Sequence, residues 1–426
     1  MDTTTPQTAA TRPSLTAYRS FVFMWLNRLS ATSAYQMLAV VIGWQIYELT
    51  GSAFDLGIVG LLQFIPAVLL TLPIGHLADR YDRRWLLRGA QTVYLVCTLA
   101  LLVGFAMRGL TREVLFAAVF VIGCCRAFEI PTGHALVPAL VPTAILPRAT
   151  AAWAASNQTA TICGPALGGL LYSISPLLVC AVCVVLFVIA VGLTGLLKLE
   201  RPPGAREPPT LSSVLAGIDF IRRRPRLLGV VTLDLFVVLL GGATALLPVF
   251  ARDILHVGPL GLGLLRSAPA VGALCTMLVL TRYPIERHVG PAMFTAVAIF
   301  GLATMAFGLS TSFALSLAAL TVLGASDAVS VVLRFTLVQI ETPDHMRGRV
   351  SAINFLFTGT SNTLGEFESG AVAAWLGTVP SVVIGGLGSL LIALSWMGLF
   401  PDLRRADRYS LPDEAKPDQP PAQAPA

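Results

Sequence analysis

A set of charged residues lies inside long apolar runs, and these are the residues of this sequence that could do chemistry. They are Arg28, Arg126, Glu129, Asp234, Asp327, Arg334, Glu366 and Glu368. An ionised side chain at the centre of a bilayer costs about 2.5–3.5 kcal/mol, so each of them needs a partner or a water-filled cavity. A carboxylate there can bind and release a proton, and an arginine can hold an anion. These residue types indicate a path for protons and a polar solute.

Spacing groups four of these residues into two pairs. Arg126 and Glu129 are three apart, so on a helix they share a face and can either neutralise each other or line a cavity together. Asp327 and Arg334 are seven apart, which again places them on one face, two turns from each other. We expect this second pair to line a cavity.

Glu366 and Glu368 point about 200° apart on a helix, so at most one of them can face a central cavity. The alternative is that their segment lies near the outer surface of the membrane, where an ionised carboxylate costs little free energy. We predict that Glu129, Asp327 and Glu366 are the candidates for binding a coupling proton. The predicted substrate cavity contains Arg126, Arg334, Arg28, Gln36 and Asp234.

The elements that position these residues follow from composition. Of the 426 residues, 55% are hydrophobic and 12% are charged, and the mean hydropathy is +0.76. Soluble domains carry about 25% charged residues. A helical span needs about 20 apolar residues, and runs of this length recur along the chain. The sequence therefore predicts an all-α membrane protein with twelve transmembrane helices in two pseudo-symmetric six-helix bundles.

Several other classes of protein are excluded by the same sequence. The net charge of +6 comes from Lys and Arg in short loops between spans, which is a topology signal and not a nucleic-acid surface. All seven cysteines lie in apolar runs, where they act as small hydrophobic residues, so we predict no metal site. Phosphate-loop, zinc-protease and dinucleotide motifs are missing, so we predict neither an enzyme nor a cofactor.

Internal similarity indicates two halves joined by a linker. A shift of 201 residues aligns Pro142 with Pro343 and Arg148 with Arg349. The predicted parts are an N-terminal segment (1–19), a first bundle (20–197), a linker with an amphipathic helix (198–226), a second bundle (227–400) and a disordered tail (401–426). Such halves place a binding site at their interface.

Loop charge predicts the orientation. With both termini in the cytoplasm, most of the 29 Lys and Arg residues lie on that side. Four are expected outside, namely Arg108, Arg112, Arg252 and Arg266. We therefore predict a multi-pass protein of the bacterial inner (plasma) membrane with a cytoplasmic N-terminal segment and a cytoplasmic tail.

The stretch Pro73–Arg88 is a charged turn between two apolar runs. It resembles the signature loop between helices 2 and 3 of the major facilitator superfamily, and Asp82 stands where that family usually has Gly. The matching residues are Gly75, Leu77, Asp79, Arg80, Arg83 and Arg84. The resemblance implies a cytoplasmic gate in which Asp79 latches the two halves by contacting the start of helix 11, near Arg347–Ser351.

A second stretch, with Gly164, Pro165, Gly168 and Gly169, resembles the helix 5 antiporter motif of the same superfamily, although it is also compatible with simple helix packing. The string SNTLGEFESG resembles the branch of the superfamily around the enterobactin exporter. Members with the helix 5 motif are mostly exporters that exchange substrate for protons.

The sequence hypothesis is a proton-coupled secondary transporter that exports a bulky organic solute, such as a siderophore or a drug-like molecule, by alternating access. Its predicted partners are the lipid bilayer, a small organic substrate and protons, and the chain is expected to act as a monomer. Two alternatives stay open: an importer of a small solute on the same fold, and a membrane sensor or scaffold that does not transport.

Overall fold

The computed structural model of the protein describes residues 14–198 and 211–407. Residues 408–426 of the predicted tail, residues 199–210 of the predicted linker and most of the predicted N-terminal segment therefore lie outside the described residues. The first residues of the tail, which was predicted to be disordered, form a short helix at Pro401–Arg404. Within helices, the side chains of residues 71–72, 74–80, 211–214, 344–345, 352 and 355–356 are also outside the description. The described residues are overwhelmingly helical.

Long helices make up the described chain, in an order that repeats across the two halves. The first half contains α1 (Arg19–Thr50), α2 (Ala53–Arg80), α3 (Arg83–Ala106), α4 (Arg112–Leu136), α5 (Leu146–Ile174) and α6 (Pro176–Gly195). A short helix, α7 (Leu211–Arg222), precedes the second half. The second half contains α8 (Pro225–Leu240), α9 (Leu247–Val249), α10 (Gly258–Arg282), α11 (Val289–Leu309), α12 (Phe313–Glu341), α13 (Asp344–Leu376), α14 (Thr378–Leu399) and α15 (Pro401–Arg404).

Nine helical stretches in the described residues are long and apolar enough to cross a membrane. Three further helices, α1, α5 and α13, have 32, 29 and 33 residues but fall outside this set because they are more polar. The all-helical membrane fold is thus confirmed, and the count of twelve spans stays a prediction.

Local sequence explains where several helices begin and end. Ser175 caps α6 by accepting a hydrogen bond from the Leu177 N–H, and Pro176 occupies the first helical position. Gly51 ends α1 in the left-handed conformation, which glycine adopts without steric cost. The turns between spans are therefore encoded by short-range capping.

Packing produces two bundles that meet along two pairs of helices. In the first half, α1 packs on α5 and α6, α3 on α4 and α6, and α2 on α4. In the second half, α10 packs on α12, α11 on α12 and α14, and α8 on α13 and α14. The halves touch where α2 packs on α13 and where α5 packs on α10.

Glycines allow these two contacts to be close. A Cβ atom on Gly57 of α2 would lie 3.0 Å from the Cα atom of Gly370 of α13. On the other side, a Cβ atom on Gly169 of α5 would collide with the backbone of α10 at Pro259 and Gly263. Helix backbones in membranes approach this closely only where side chains are small.

The first helix of the second half is broken, although its apolar pattern predicts one continuous span over Leu227–Ala251. Helix α8 stops at Leu240, a Gly241–Gly242 pair follows, and a 3-10 turn, α9 and a π-helical turn (Phe250–Ile254) complete the crossing. A Cβ atom on Gly242 would collide with the Gly365 carbonyl of α13. Glycine is needed here because two backbones meet, and hydropathy does not report such a contact.

Gly263→Val should destabilise the contact between the halves. The new side chain would collide with the Pro165 carbonyl of α5, and overpacking of this kind costs about 1–3 kcal/mol. We expect a lower Tm of the purified protein. Gly192→Val on α6 is the matched control, because no atom lies within 4 Å of the point that its Cβ would occupy. Equal Tm values for the two variants would contradict this packing argument.

Candidate functional site

A buried ion pair joins three helices of the first bundle. Arg28 of α1 lies 3.8 Å from Glu129 of α4, measured from Nη1 to Oε1. Its Nη2 donates to Oδ1 of Asn157 on α5 at 2.7 Å, and its guanidinium lies 5.2 Å from the ring centroid of Trp153. Spacing suggested Arg126 as the partner of Glu129, but the ion pair of Glu129 is with Arg28, on a different helix.

Arg126 instead stacks on an aromatic ring. Its guanidinium carbon lies 4.1 Å from the ring centroid of Tyr35 on α1. The Tyr35 hydroxyl donates to Oε1 of Gln63 on α2 at 3.0 Å. Cation–π contact stabilises a desolvated guanidinium by about 2 kcal/mol, but it does not neutralise the charge.

A cavity lies between the two bundles and encloses about 590 Å³, including open solvent at its mouth. Its walls come from α1, α2, α4, α10, α13 and the broken segment after α8. The lining residues are Tyr35, Leu38, Ala39, Ile42, Gly43, Leu56, Val59, Gln63, Val119, Ile122, Thr244, Ala245, Pro248, Arg266 and Glu366. Its enclosed part is only about 50 Å³, below the range of about 300–1,000 Å³ for small-molecule binding sites, so a solute can enter only if the cavity widens.

Arg266 and Glu366 are the two charged residues that line this cavity, and the sequence prediction for Arg266 was wrong. Loop counting placed Arg266 outside the membrane, but it lies in α10, eight residues after Gly258 and thus about 12 Å along the helix. Glu366 faces the cavity, whereas Glu368 accepts a hydrogen bond from the Ser369 hydroxyl at 3.4 Å.

A second charged cluster lies within the second bundle. Arg334 of α12 forms an ion pair with Asp234 of α8, and both side chains are 5% exposed. Thr358 of α13 donates to Oδ2 of Asp234 at 3.1 Å. Asp327 lines a small cavity with Asp234 and Ser330. Arg334 and Asp327 share a helix face in sequence, but the ion-pair partner of Arg334 comes from α8.

The residues that were predicted to line the substrate cavity lie elsewhere in the structure. Arg28, Arg126, Arg334 and Asp234 belong to the clusters above, outside the lining of the central cavity. Gln36 lies in the contact between α1 and α5. A Cβ atom added to Gly164 would lie 2.7 Å from the Cβ atom of Gln36. Helix spacing predicts on which face of its helix a residue lies. It does not predict which other helix packs against that face.

The glycine motif of α5 is a packing surface with two sides. Gly164 and Gly168 face α1, and a Cβ atom on Gly168 would lie 2.9 Å from the Cα atom of Met37. Gly169 and the Pro165 carbonyl face α10 of the other half, against Gly263. This one motif therefore holds α5 against its own bundle and against the second one.

The predicted gate loop is described only in part. The side chains of Gly75, Asp79 and Arg80 lie outside the described residues. Asp82 caps α3 by accepting the Arg84 N–H at 2.9 Å, and Arg84 also donates Nη1 to the Leu197 carbonyl at 3.0 Å. Asp82, the residue that departs from the family pattern, therefore caps the start of α3. Arg84 joins the loop by a hydrogen bond to the chain just beyond the end of α6.

The two bundles are also bridged at the end where α1 stops. The Tyr47 hydroxyl of α1 donates to Oδ2 of Asp253 in the π-helical turn. Arg252 donates Nη1 to the Tyr47 carbonyl at 3.1 Å and lies over the Tyr47 ring. We call Tyr47, Arg252 and Asp253 the clasp. It links the two bundles at this end.

Asp82→Asn should reduce stability in a pH-dependent way. Hydrogen bonds from Arg84 hold the pKa of Asp82 below its usual range, so its charge stabilises the fold at neutral pH and this contribution is lost as pH falls through the lowered pKa. Asn keeps the cap acceptor but removes the charge. We expect a loss of up to about 1 kcal/mol at pH 7 that shrinks in acid.

Thermal unfolding of the wild type and the variant from pH 7 to pH 3 measures this difference. Asp402→Asn, an exposed position on α15, serves as the control. A difference in Tm that stays constant over the whole pH range would show that the charge of Asp82 contributes nothing.

Comparison with known proteins identifies the family. The family model described as Major Facilitator Superfamily matches residues 24–366. The enterobactin exporter EntS of Citrobacter koseri is 27% identical over 402 residues, which cover 92% of this chain and 94% of that protein. The enterobactin exporter EntS of Escherichia coli O1:K1 has the same identity and coverage.

Solved structures show the same fold at low sequence identity. The nucleoside transporter NupG superposes with a TM-score of 0.70 at 14% identity, over 89% of this chain and 99% of that one. A bacterial homologue of the iron transporter ferroportin in the inward-facing state has a TM-score of 0.70 at 18% identity, over 92% of this chain and 100% of that one. The chain belongs to the major facilitator superfamily of membrane transporters.

Proposed function

We propose that the protein exports a bulky organic solute by alternating access and couples this export to proton entry. The observation that carries the coupling is the cluster of Asp234, Asp327 and Arg334. It contains two carboxylates and one guanidinium inside the second bundle. Because Asp234 takes the guanidinium, Asp327 has neither an ion pair nor a hydrogen bond among the described residues. A carboxylate without a partner in an apolar bundle favours its protonated form.

Release of that proton would change the contacts of α12. An ionised Asp327 competes with Asp234 for Arg334, which lies two turns away on its own helix. If Arg334 turns towards Asp327, α8 loses its ion pair with α12. The segment that continues α8 lines the central cavity at Thr244 and Pro248, so this exchange would act on the cavity directly.

The central cavity is the proposed solute site. It lies where the two bundles meet, which is where transporters built from two repeats bind their substrates. The EntS relatives are named as exporters of enterobactin, which supports export and a siderophore-like solute. One proton crossing 100 mV gains about 2.3 kcal/mol, enough to concentrate a neutral solute roughly fiftyfold.

Alternating access requires two gates. We propose that the clasp is one of them, and that the loop with Gly75, Asp79, Arg80, Arg83 and Arg84 is the cytoplasmic one. The clasp and the loop lie at opposite ends of α2, since α2 begins just after the end of α1 and finishes at Arg80. We further propose that both termini lie in the cytoplasm, that the membrane is a bacterial inner membrane, and that the protein acts as a monomer.

Asp327→Asn should abolish proton-driven transport. Asn cannot exchange a proton but has almost the same volume, so insertion and folding should be unchanged. The assay uses enterobactin in proteoliposomes with an imposed pH gradient, and we expect accumulation to fall to the level seen after the gradient is collapsed. Asp219→Asn on α7, whose carboxylate pairs with Arg223 on the protein surface, is the control.

Three outcomes of this assay would contradict the proposal. If Asp327→Asn accumulates enterobactin like the wild type, the proton does not bind at Asp327. If wild-type accumulation survives collapse of the gradient, transport is not proton-coupled. Accumulation in the direction of proton entry would identify an importer.

Tyr47→Phe should weaken the clasp. The variant loses a hydrogen bond to a carboxylate, worth about 1.5–3 kcal/mol, so the ratio of closed to open conformers should fall about tenfold or more. Spin labels at Leu49 and Leu260 in a cysteine-free background would report the distance across this end. Tyr283→Phe at an exposed site after α10 is the control. An unchanged distance distribution would exclude the clasp as a gate.

A further inference from the structure

The central cavity has an unbalanced charge. Arg266 and Glu366 line it, and Arg126 lies against the lining residue Tyr35. The charges of Arg266 and Arg126 both act on the Glu366 carboxylate. Two guanidiniums therefore act on one cavity carboxylate, and Glu129, the other carboxylate near Arg126, already forms an ion pair with Arg28.

These two arginines differ from Arg28 of α1 and Arg112 of α4. Arg28 is paired with Glu129, and Arg112 lies 2.8 Å from Asp55. Within the described part of the chain, the guanidiniums of Arg266 and Arg126 make no hydrogen bond and no ion pair. An intramembrane arginine without a carboxylate partner is costly, so it marks a place where another anion is expected to bind.

Most of the rest of the cavity wall is apolar, the polar exceptions being Tyr35, Gln63 and Thr244. Side chains from three helices of the first bundle form most of it. They are Leu38, Ile42, Leu56, Val59, Val119 and Ile122. An occupant would place its charged group against Arg266 and its apolar body on this surface. A guanidinium binds a carboxylate, phosphate or sulfonate with two parallel hydrogen bonds, which fits a small planar or tetrahedral anion.

We propose that the transported solute is an organic anion with an apolar body, and that Arg266 binds its charged group inside the central cavity. This inference rests on the proposed function, since it takes the cavity as the transport site. It adds the charge of the solute and the residue that selects it. Neither follows from membership of a transporter family.

Glu366 is then an internal competitor of the solute. When ionised, its carboxylate compensates part of the positive charge of Arg266 and Arg126. When protonated, it no longer competes, so both guanidiniums can interact with the solute anion. Anion affinity should therefore rise as pH falls. Other charged groups lie on the elements packed against α13. The paired ones include Asp55 with Arg112, Asp234 with Arg334, Asp219 with Arg223 and Glu341 with Arg226, and Glu368 accepts a hydrogen bond from Ser369. Asp327 of α12 has no such partner among the described residues, but it lines the separate small cavity with Asp234.

This competition also distinguishes between Asp327 and Glu366 as the site of the exchanged proton. Protonation of Glu366 favours anion binding, so a proton there would travel with the solute. Exchange of a proton for the solute requires that the two exclude each other. The exchanged proton must therefore bind elsewhere, which favours Asp327 over Glu366.

Calorimetric titration of the purified full-length protein tests the charge preference. The probes share one ring system and differ in charge: 1-naphthoate, 1-naphthamide and 1-naphthylmethylammonium. We expect 1-naphthoate to bind at least about tenfold more tightly than the other two, which is the effect of one charge-assisted hydrogen bond. Tighter binding of the amide or the cation, equal binding of all three, or no binding of 1-naphthoate at millimolar concentration would overturn the proposal.

Variants assign this preference to the residues. Arg266→Gln should lose about tenfold or more in affinity for 1-naphthoate, and Arg266→Lys should recover part of it. Glu366→Gln mimics the protonated form, so it should bind 1-naphthoate more tightly than the wild type at about pH 7.5 and lose the pH dependence. Arg287→Gln, in the exposed loop after α10, removes one positive charge elsewhere and should change nothing.

Weaker binding by Glu366→Gln, or unchanged binding by Arg266→Gln, would show that the anion binds elsewhere. These titrations use no gradient, so they are independent of the transport assay. If 1-naphthoate binds as expected while Asp327→Asn still accumulates enterobactin, the proton site is wrong and the solute site stands. If gradient-driven transport holds while the anion preference fails, only the charge of the solute is wrong.

Discussion

The burial of guanidinium groups inside apolar helix bundles is the constraint on which the rest of this structure depends. Each such group must be compensated locally, because the bilayer offers neither water nor counterions. Arg28 and Arg334 are compensated by carboxylates on neighbouring helices, and these ion pairs fix α1 against α4 and α12 against α8. Arg266 is the exception: it lines a cavity in which Glu366 is the other charged residue, and we propose that a solute supplies the remaining compensation. The charges therefore hold the bundles together and also mark where they bind something.

The broken helix after α8 connects the two charged regions. Its first part carries Asp234, which holds Arg334, and the residues after the Gly241–Gly242 break line the central cavity. A continuous helix would place these two regions on one rigid rod. Because of the break, the segment that lines the cavity has its own backbone geometry. It remains part of the same chain as the helix that carries the ion pair. The ion pair and the proposed substrate site can thus influence each other over a short distance through the chain.

Sequence reasoning predicted the parts of the structure that depend on short-range patterns. Apolar run length gave the all-helical membrane fold, and glycine spacing indicated the packing surface of α5. It failed where the result depends on rotation and packing of whole helices. Glu129 has Arg126 on its own face but pairs with Arg28. Arg266 was counted outside the membrane, although it lies well inside α10, because counting charges by side does not show how far along its helix a residue lies. The Gly241–Gly242 break depends on the approach of another backbone, which no local pattern records.

The glycine contacts between the halves have a geometric consequence. Gly57 meets Gly370 on one side of the molecule, and Gly169 meets Gly263 on the other, in both cases backbone against backbone. Two contact points define a line, and a rigid rotation that keeps both contacts must be a rotation about that line. Smooth glycine surfaces are suited to such a pivot because no side chains have to change rotamer as the helices roll. Displacement then grows with distance from this axis, so equal turns of the bundles open most widely at the ends farthest from it.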